Sequence, residues 1–351
     1  MTSLETHIVD PLLVETVDRL LAKSCEFKVV EQAESDRWCA SVWDGLAEAG
    51  FPWISVPADA GGSDGSLADA MAVLRSVGFH AAPVPVAETG VLGGWLLASA
   101  GFALGDGPLA VVPDPAAVVL SGDRLQGDAV VAWAQASTQI AALVSNGQTW
   151  HIVSVRPDQV EITPGSNLAG EPRDQVRFDV PVADIQLAPA PAGVDGDALM
   201  RRGALTRVVM MAGAADAMSQ MVVDYTNSRR QFGQPIARFQ AVQQHLVTTA
   251  QHSVKLSMAA DAAVRAASRG PAAFEIAAAV LIADDAAVAA TRATHQAHGA
   301  MGVTREYPLH HLSRRLWSWR HEFGGARYWR PRLGAEVAAA GADRFFETVT
   351  R

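Results

Sequence analysis

The sequence predicts an α+β protein in three segments: a helical unit, a small β unit and a bundle of long helices. Three observations carry this. Apolar residues recur at helical spacing from about residue 9 to 100, short runs rich in Val and Ile replace them from about 103 to 193, and the helical period then returns almost to the end. The segments are therefore read as residues 1–102, 103–195 and 196–351.

In the first segment Leu12, Val17, Leu20 and Leu21 begin the helical pattern, Val42 and Leu46 continue it, and Met71, Val73 and Leu74 extend it. Between them, Phe51 to Gly65 is rich in turn formers, with Val56-Pro57 and Gly61-Gly62 interrupting regular structure. Gly61-Gly62-Ser63-Asp64-Gly65 has the spacing of a nucleophile elbow, but that elbow needs a strand running straight into its serine. Pro57 breaks any such strand, so a simple turn is expected.

The middle segment offers strand-length runs at Ala110 to Val112, Ala129 to Trp133, Ile140 to Val144 and Trp150 to Val155. Prolines and glycines separate them at short intervals, which predicts an antiparallel unit. After Pro189-Ala-Pro191-Ala-Gly193, long helical stretches follow at about 197–228, 235–269 and 272–298. Val208, Met211, Ala215, Met218, Val222 and Tyr225 stripe the first; Ile236, Phe239, Val242, Leu246 and Ala250 stripe the second. Short Gly/Pro breaks between them favour an antiparallel bundle.

A chain of 351 residues is too long for one core, and with 49% hydrophobic and 19% charged residues it is too apolar for disorder. A net charge of -9 argues against nucleic acid or an anionic membrane as the main partner. The longest apolar stretch, Ile276 to Ala290, is interrupted by Asp284 and Asp285 and predicts no membrane span. Cys25 and Cys39 are too few for a disulfide framework and the chain opens on no leader pattern, so a reducing cytoplasm is the expected location. Arg314 to Arg330 interleaves arginines with tryptophans, a composition that suits a subunit interface in an acidic protein. His295, His298, His310 and His311 with Glu306 complete no ligand spacing, and no metal is expected.

One constellation is more specific. Tyr225-Thr-Asn-Ser-Arg229-Arg230-Gln231-Phe232-Gly233-Gln234-Pro235-Ile236 ends one predicted helix and opens the next, and Phe239-Gln240 follows. A diphosphate needs a fixed guanidinium and nearby backbone donors, which Arg229 beside a glycine turn at a helix junction supplies. The extended string closely resembles the hallmark segment of acyl-CoA dehydrogenases. Trp43 to Gly62 resembles the family's N-terminal helix and the loop after it, and Gln296-Ala-His-Gly299-Ala-Met-Gly302 resembles its late glycine segment.

The resemblance covers most of the chain and is weakest in the β unit. It implies an N-terminal helical domain, a middle β barrel and a C-terminal antiparallel four-helix bundle that mediates oligomerisation. It further implies FAD as cofactor, an acyl-CoA thioester as substrate and an electron-transfer flavoprotein as acceptor. By position, Arg229, Gln240, Gln296 and Gly299 would reach the ADP end of an FAD held mainly by a neighbouring subunit, with Gln231 and Phe232 in the same string.

The family desaturates the thioester with a carboxylate that removes the α proton while hydride leaves for the flavin. Aligning through Glu306-Tyr307-Pro308 puts Phe323 at the usual base position, with Glu322 one residue before; the family's alternative base position falls on Gly203, followed by Ala204. Neither position carries a carboxylate. Glu322 is the adjacent candidate base, but one step along a backbone re-aims a side chain, and pairing with Arg320 or Arg327 at the surface is the expected state. The family's flavin-ring loop and its Trp-Ile-Thr strand are also missing; Ala132-Trp133-Ala134 is the nearest remnant. This pattern resembles the non-catalytic, β-type subunit of bacterial heteromeric dehydrogenases acting on steroid side chains and other bulky acyl-CoAs. Two alternatives stay open: a self-sufficient homo-oligomeric dehydrogenase with Glu322 as base, and a flavin-free scaffold.

Overall fold

The computed structural model describes residues 9–344, 346 and 347; the outer limits of the first and third segments lie outside these. Four helices build most of the first segment: α1 (Pro11–Ser24), α2 (Phe27–Asp36), α3 (Ala40–Glu48) and α4 (Leu67–Phe79). Asp10 caps α1 by accepting the Leu12 N–H, with Pro11 at the first helical position. Ser66 and Asp69 form a reciprocal capping box that starts α4. A buried π-helical turn, Ala87–Gly94, then runs into α5 (Trp95–Ser99). The Gly61 to Gly65 stretch is a turn, as expected: no strand leads into Ser63, and Gly62 packs so tightly that an added Cβ would lie 2.0 Å from the Val56 carbonyl oxygen.

The middle segment holds β1 (Leu109–Val111), β2 (Val118–Ser121), β3 (Arg124–Ala132), β4 (Gln139–Ser145), β5 (Trp150–Val155), β6 (Glu161–Thr163), β7 (Arg173–Pro181) and β8 (Gln186–Pro189). They form two four-stranded sheets, ordered β1-β4-β5-β8 and β2-β3-β7-β6. Two expectations are corrected here. The unit is not wholly antiparallel, because β1 pairs parallel to β4 with Leu109 opposite Gln139. Nor is it a closed barrel. Residues Ile140, Ala142 and Val144 of β4 face the second sheet, whereas Ala141 and Leu143 face the helical core. A sheet buried on both faces is a middle layer, and its hydrogen-bonding edges stay unjoined to the other sheet.

The third segment contains α6 (Gly196–Ser228), a short hairpin of β9 (Arg230–Gln231) and β10 (Gln234–Pro235), α7 (Gln240–Ala267), α8 (Ala273–His298), α9 (Leu309–Trp319) and α10 (Gly325–Ala340). The second long helix starts five residues later than the periodicity predicts, at Gln240 against 235. Pro235 and Phe239 both take extended backbone, so Ile236 and Phe239 precede the helix rather than stripe it. Helix α6 is central, with every residue from 203 to 215 buried. It crosses α4 at backbone contact: a Cβ on Gly78 would meet the Met210 carbonyl at 2.0 Å, and one on Gly213 the Arg75 carbonyl at 2.0 Å. Among the described residues, no helix is long and apolar enough to cross a membrane.

Candidate active site

A cavity of about 910 Å³ lies where the three segments meet. The π-helical turn supplies Glu88 and Leu92, β3 and β7 supply Val130 and Arg173, α6 supplies Met200 and Arg207, and the joint between α9 and α10 supplies Glu322 and Phe323. Its walls are largely apolar and one wall is charged.

That wall is a chain of alternating charges. The Arg207 guanidinium donates to Glu88 and, through Nε, to Glu322 Oε2 at 2.5 Å. Arg173 donates to Glu322 Oε1 from Nη2 at 2.6 Å and from Nε at 2.8 Å. Glu171 stands 3.3 Å from Arg173 on one side and 3.3 Å from the fully buried Arg315 on the other, and accepts the Trp319 indole N–H at 2.9 Å. Three carboxylates against three guanidiniums balance, which is what lets these ions sit out of water. Arg207 is the lone charge in the buried run of α6, and a single arginine inside the apolar Leu205-Thr-Arg207-Val-Val-Met is a signal in the sequence beyond Glu322 that could have found this wall.

Glu322 is therefore not at the surface with Arg320 or Arg327. Arg320 instead pairs with Asp284 at 2.6 Å. Residues two apart cannot face each other around a helix end, and Phe323, at φ 48° and ψ 46°, turns the chain so that Glu322 points into the wall. Burial alone would raise the Glu322 pKa, but the Arg173 and Arg207 guanidiniums outweigh it and hold the carboxyl below the usual carboxylate range. A general base for an α proton needs the opposite, a raised pKa and a free oxygen.

Gly203 and Phe323, the two positions where the resemblance leads one to expect a base, lie together in the fold. The Phe323 ring packs directly on Gly203, where an added Cβ would lie 2.1 Å from Phe323 Cδ1. Phe323 is buried, its carbonyl accepts the Trp329 indole N–H at 3.0 Å, and Arg207 sits over its ring at 5.3 Å. An aromatic ring thus covers Gly203.

The other candidates lie at the far end of the bundle. Arg229, Gln231, Phe232, Gln240, Gln296 and Gly299 are all exposed, and among the described residues Arg229 forms no ion pair. Phe232 is 92% exposed at φ 50°, touching Phe239 edge-on. Gly299 sits at φ 60° and ψ -136°, a backbone region open to glycine, with nothing within 4 Å of a Cβ built on it. Tyr225, one turn before Arg229, stacks on His298 with centroids 4.4 Å apart, so the ends of α6 and α8 lie side by side.

Trp133 does not line the cavity. It is buried at φ 59° with its ring 6.2 Å from Trp38, which continues to Trp43 and Trp53. His310 and His311 do converge with Glu34, a residue missed in the sequence. Arg314 donates to Glu34 and lies 3.0 Å from His310 Nδ1, and His311 Nδ1 bonds Glu34 at 3.0 Å, while His311 Nε2 is buried without a partner.

These features have relatives. The profile described as acyl-CoA dehydrogenase, N-terminal domain, matches residues 10–102, and that described as acyl-CoA dehydrogenase, C-terminal domain, matches residues 197–324. The chain belongs to the acyl-CoA dehydrogenase family of FAD-dependent oxidoreductases. It is 30% identical to the acyl-CoA dehydrogenase IpdE2 of Mycobacterium tuberculosis over 85% of this chain and 88% of that one. It is also 30% identical to the acyl-CoA dehydrogenase FadE34 of the same organism, over 90% of this chain but 44% of the relative, so it spans less than half that protein's length. In fold it is similar to a chain of the ChsE4-ChsE5 complex from Mycobacterium tuberculosis, with a TM-score of 0.84 at 22% identity, covering 97% of this chain and 100% of that one. A variant of the Tcur3481-Tcur3483 steroid ACAD gives 0.83 at 21%, covering 94% and 98%.

Proposed function

We propose that this chain is the non-catalytic, β-type subunit of a heteromeric acyl-CoA dehydrogenase that desaturates a bulky acyl-CoA thioester, a steroid side chain or a group of similar size. The observation that carries this reading is the Phe323 ring seated on Gly203, which fills the position of the base from both of its family origins. The nearest carboxylate, Glu322, is committed to two arginines.

The residues fit one half of FAD and not the other. At the bundle end, an exposed guanidinium with no carboxylate partner among the described residues, two exposed glutamines and a glycine with open space before it suit the ADP moiety of a cofactor held by another subunit. The ion-paired cavity wall, with Trp133 buried away from the cavity, leaves the ring without the family's cradle. A flavin held in the partner would supply the hydride acceptor; in this chain Arg229 would anchor the diphosphate and Gln240, Gln296 and Gly299 would close the site. The exposed apolar stripe Val247, Val254 and Met258 along α7 supports association through the bundle. Similarity in fold to the ChsE4-ChsE5 complex supports a heteromeric partner, and similarity to the Tcur3481-Tcur3483 steroid ACAD supports the substrate class. We place the assembly in the cytoplasm, with both cysteines free, and an electron-transfer flavoprotein as its acceptor.

The visible spectrum tests this. The chain purified alone is expected to be colourless and inactive, and to become yellow and active on co-purification with a catalytic family subunit. A yellow, active homo-oligomer would instead establish the self-sufficient reading.

A further inference from the structure

The two halves of the proposed ADP half-site come from helix ends far apart in sequence, and a cluster of aromatic rings joins them there. Arg229 follows the last turn of α6, where its N–H donates to the Tyr225 carbonyl at 2.8 Å and its own carbonyl accepts the Ile236 N–H at 2.9 Å. Its backbone is thus fixed to Tyr225. Gln296 and Gly299 flank His298, the last residue of α8, which is 3% exposed and donates Nδ1–H to the Thr294 carbonyl at 2.8 Å. The Tyr225 and His298 rings stack at 4.4 Å with 25° between planes. Tyr307, on the stretch leading into α9, meets both, 5.6 Å from Tyr225 and 4.9 Å from His298.

We propose that the Tyr225–His298–Tyr307 ring stack is a positioning element for the dinucleotide, setting the distance between Arg229 and the Gln296–Gly299 turn without itself carrying the phosphate contact. This rests on the ADP half-site reading above. A guanidinium and a glycine turn grip one diphosphate only if their spacing is held, because a contact displaced by about 1 Å is largely lost. Helix ends are otherwise free to fray by a turn. The stack ties the two ends at the residues immediately beside the contacts, and burial pushes the His298 pKa below the usual histidine value.

The test uses the FAD-loaded assembly and follows release of FAD by the rise in flavin fluorescence on dilution, with the thermal midpoint recorded alongside. His298→Ala is expected to release FAD about five- to tenfold faster, the scale of one lost aromatic pair. His298→Phe, which keeps a stacking ring and drops the Thr294 hydrogen bond, is expected to stay near the parent. Equal release from the Ala and Phe variants, or release unchanged in His298→Ala while Arg229→Ala loses its FAD, would overturn the positioning role and leave the half-site reading intact. An Arg229→Ala assembly that keeps its FAD sinks the half-site reading itself, and this proposal with it. Should His298→Ala fail to assemble, Tyr225→Leu against Tyr225→Phe makes the same comparison: faster release from the Leu variant alone supports the stack, and equal release overturns it.

Discussion

Glu322→Gln is expected to destabilise the folded chain by about 3 kcal/mol at neutral pH. Removing one partner from a buried ion pair costs about 3 to 5 kcal/mol; the lower end applies because Arg207 keeps Glu88 and Arg173 keeps Glu171. The pH dependence follows from the direction of the shift. Burial works to raise the Glu322 pKa, the two guanidiniums together lower it by more, and the folded value lies below the ordinary 4.5. A carboxyl depressed on folding contributes stability above its unfolded pKa and loses it as pH falls through its folded one. The parent should therefore lose part of its advantage below about pH 4.5, and the gap between parent and Gln variant should narrow from pH 7 to pH 3. Denaturant midpoints at the two pH values measure it. Equal stability at pH 7 would show that Glu322 is not held in the wall.

Gly203→Ala carries the second large effect, and its sign is informative. In an open helix interior the change would stabilise by about 0.5 to 1 kcal/mol. Here the new methyl would start 2.1 Å from Phe323 Cδ1, against a buried ring on a left-handed backbone whose carbonyl is held by the Trp329 indole N–H. Overpacking of this kind costs about 1 to 3 kcal/mol or more, so a net loss of about 2 kcal/mol is expected. Adding Phe323→Ala should recover part of it, since residues in contact do not add independently. A stabilised Gly203→Ala protein with unaltered flavin content would mean that the ring leaves the base position open.

Much of the architecture was legible in local sequence. The order of helices, strands and bundle follows from periodicity, and the run Trp150 to Val155 is a strand from end to end. Strand partners were not legible: the unbroken apolar run Ile140 to Val144 marks β4 as a strand buried on both faces, but that it lies between the second sheet and the helices depends on contacts no run of residues encodes. The same holds for the site. Arg229, Gln296 and their neighbours share short strings, so the proposed half-site can be read from the sequence alone. Glu88, Glu171, Arg173, Arg207 and Arg315 sit on different elements and meet only in the fold, so Glu322 was assigned the arginines nearest in sequence instead of those nearest in space. Glu34 escaped for the same reason, its partners His311 and Arg314 lying at the other end of the chain.

Turnover of the assembly carrying Glu322→Gln, expressed per bound flavin, tests most directly whether this chain performs chemistry. A base on the partner leaves desaturation within about tenfold of the parent once folded, FAD-loaded complex is compared with folded, FAD-loaded complex. Loss of a general base costs a factor of about 100 or more, and a loss on that scale with assembly and FAD intact would make Glu322 the base and contradict the non-catalytic role.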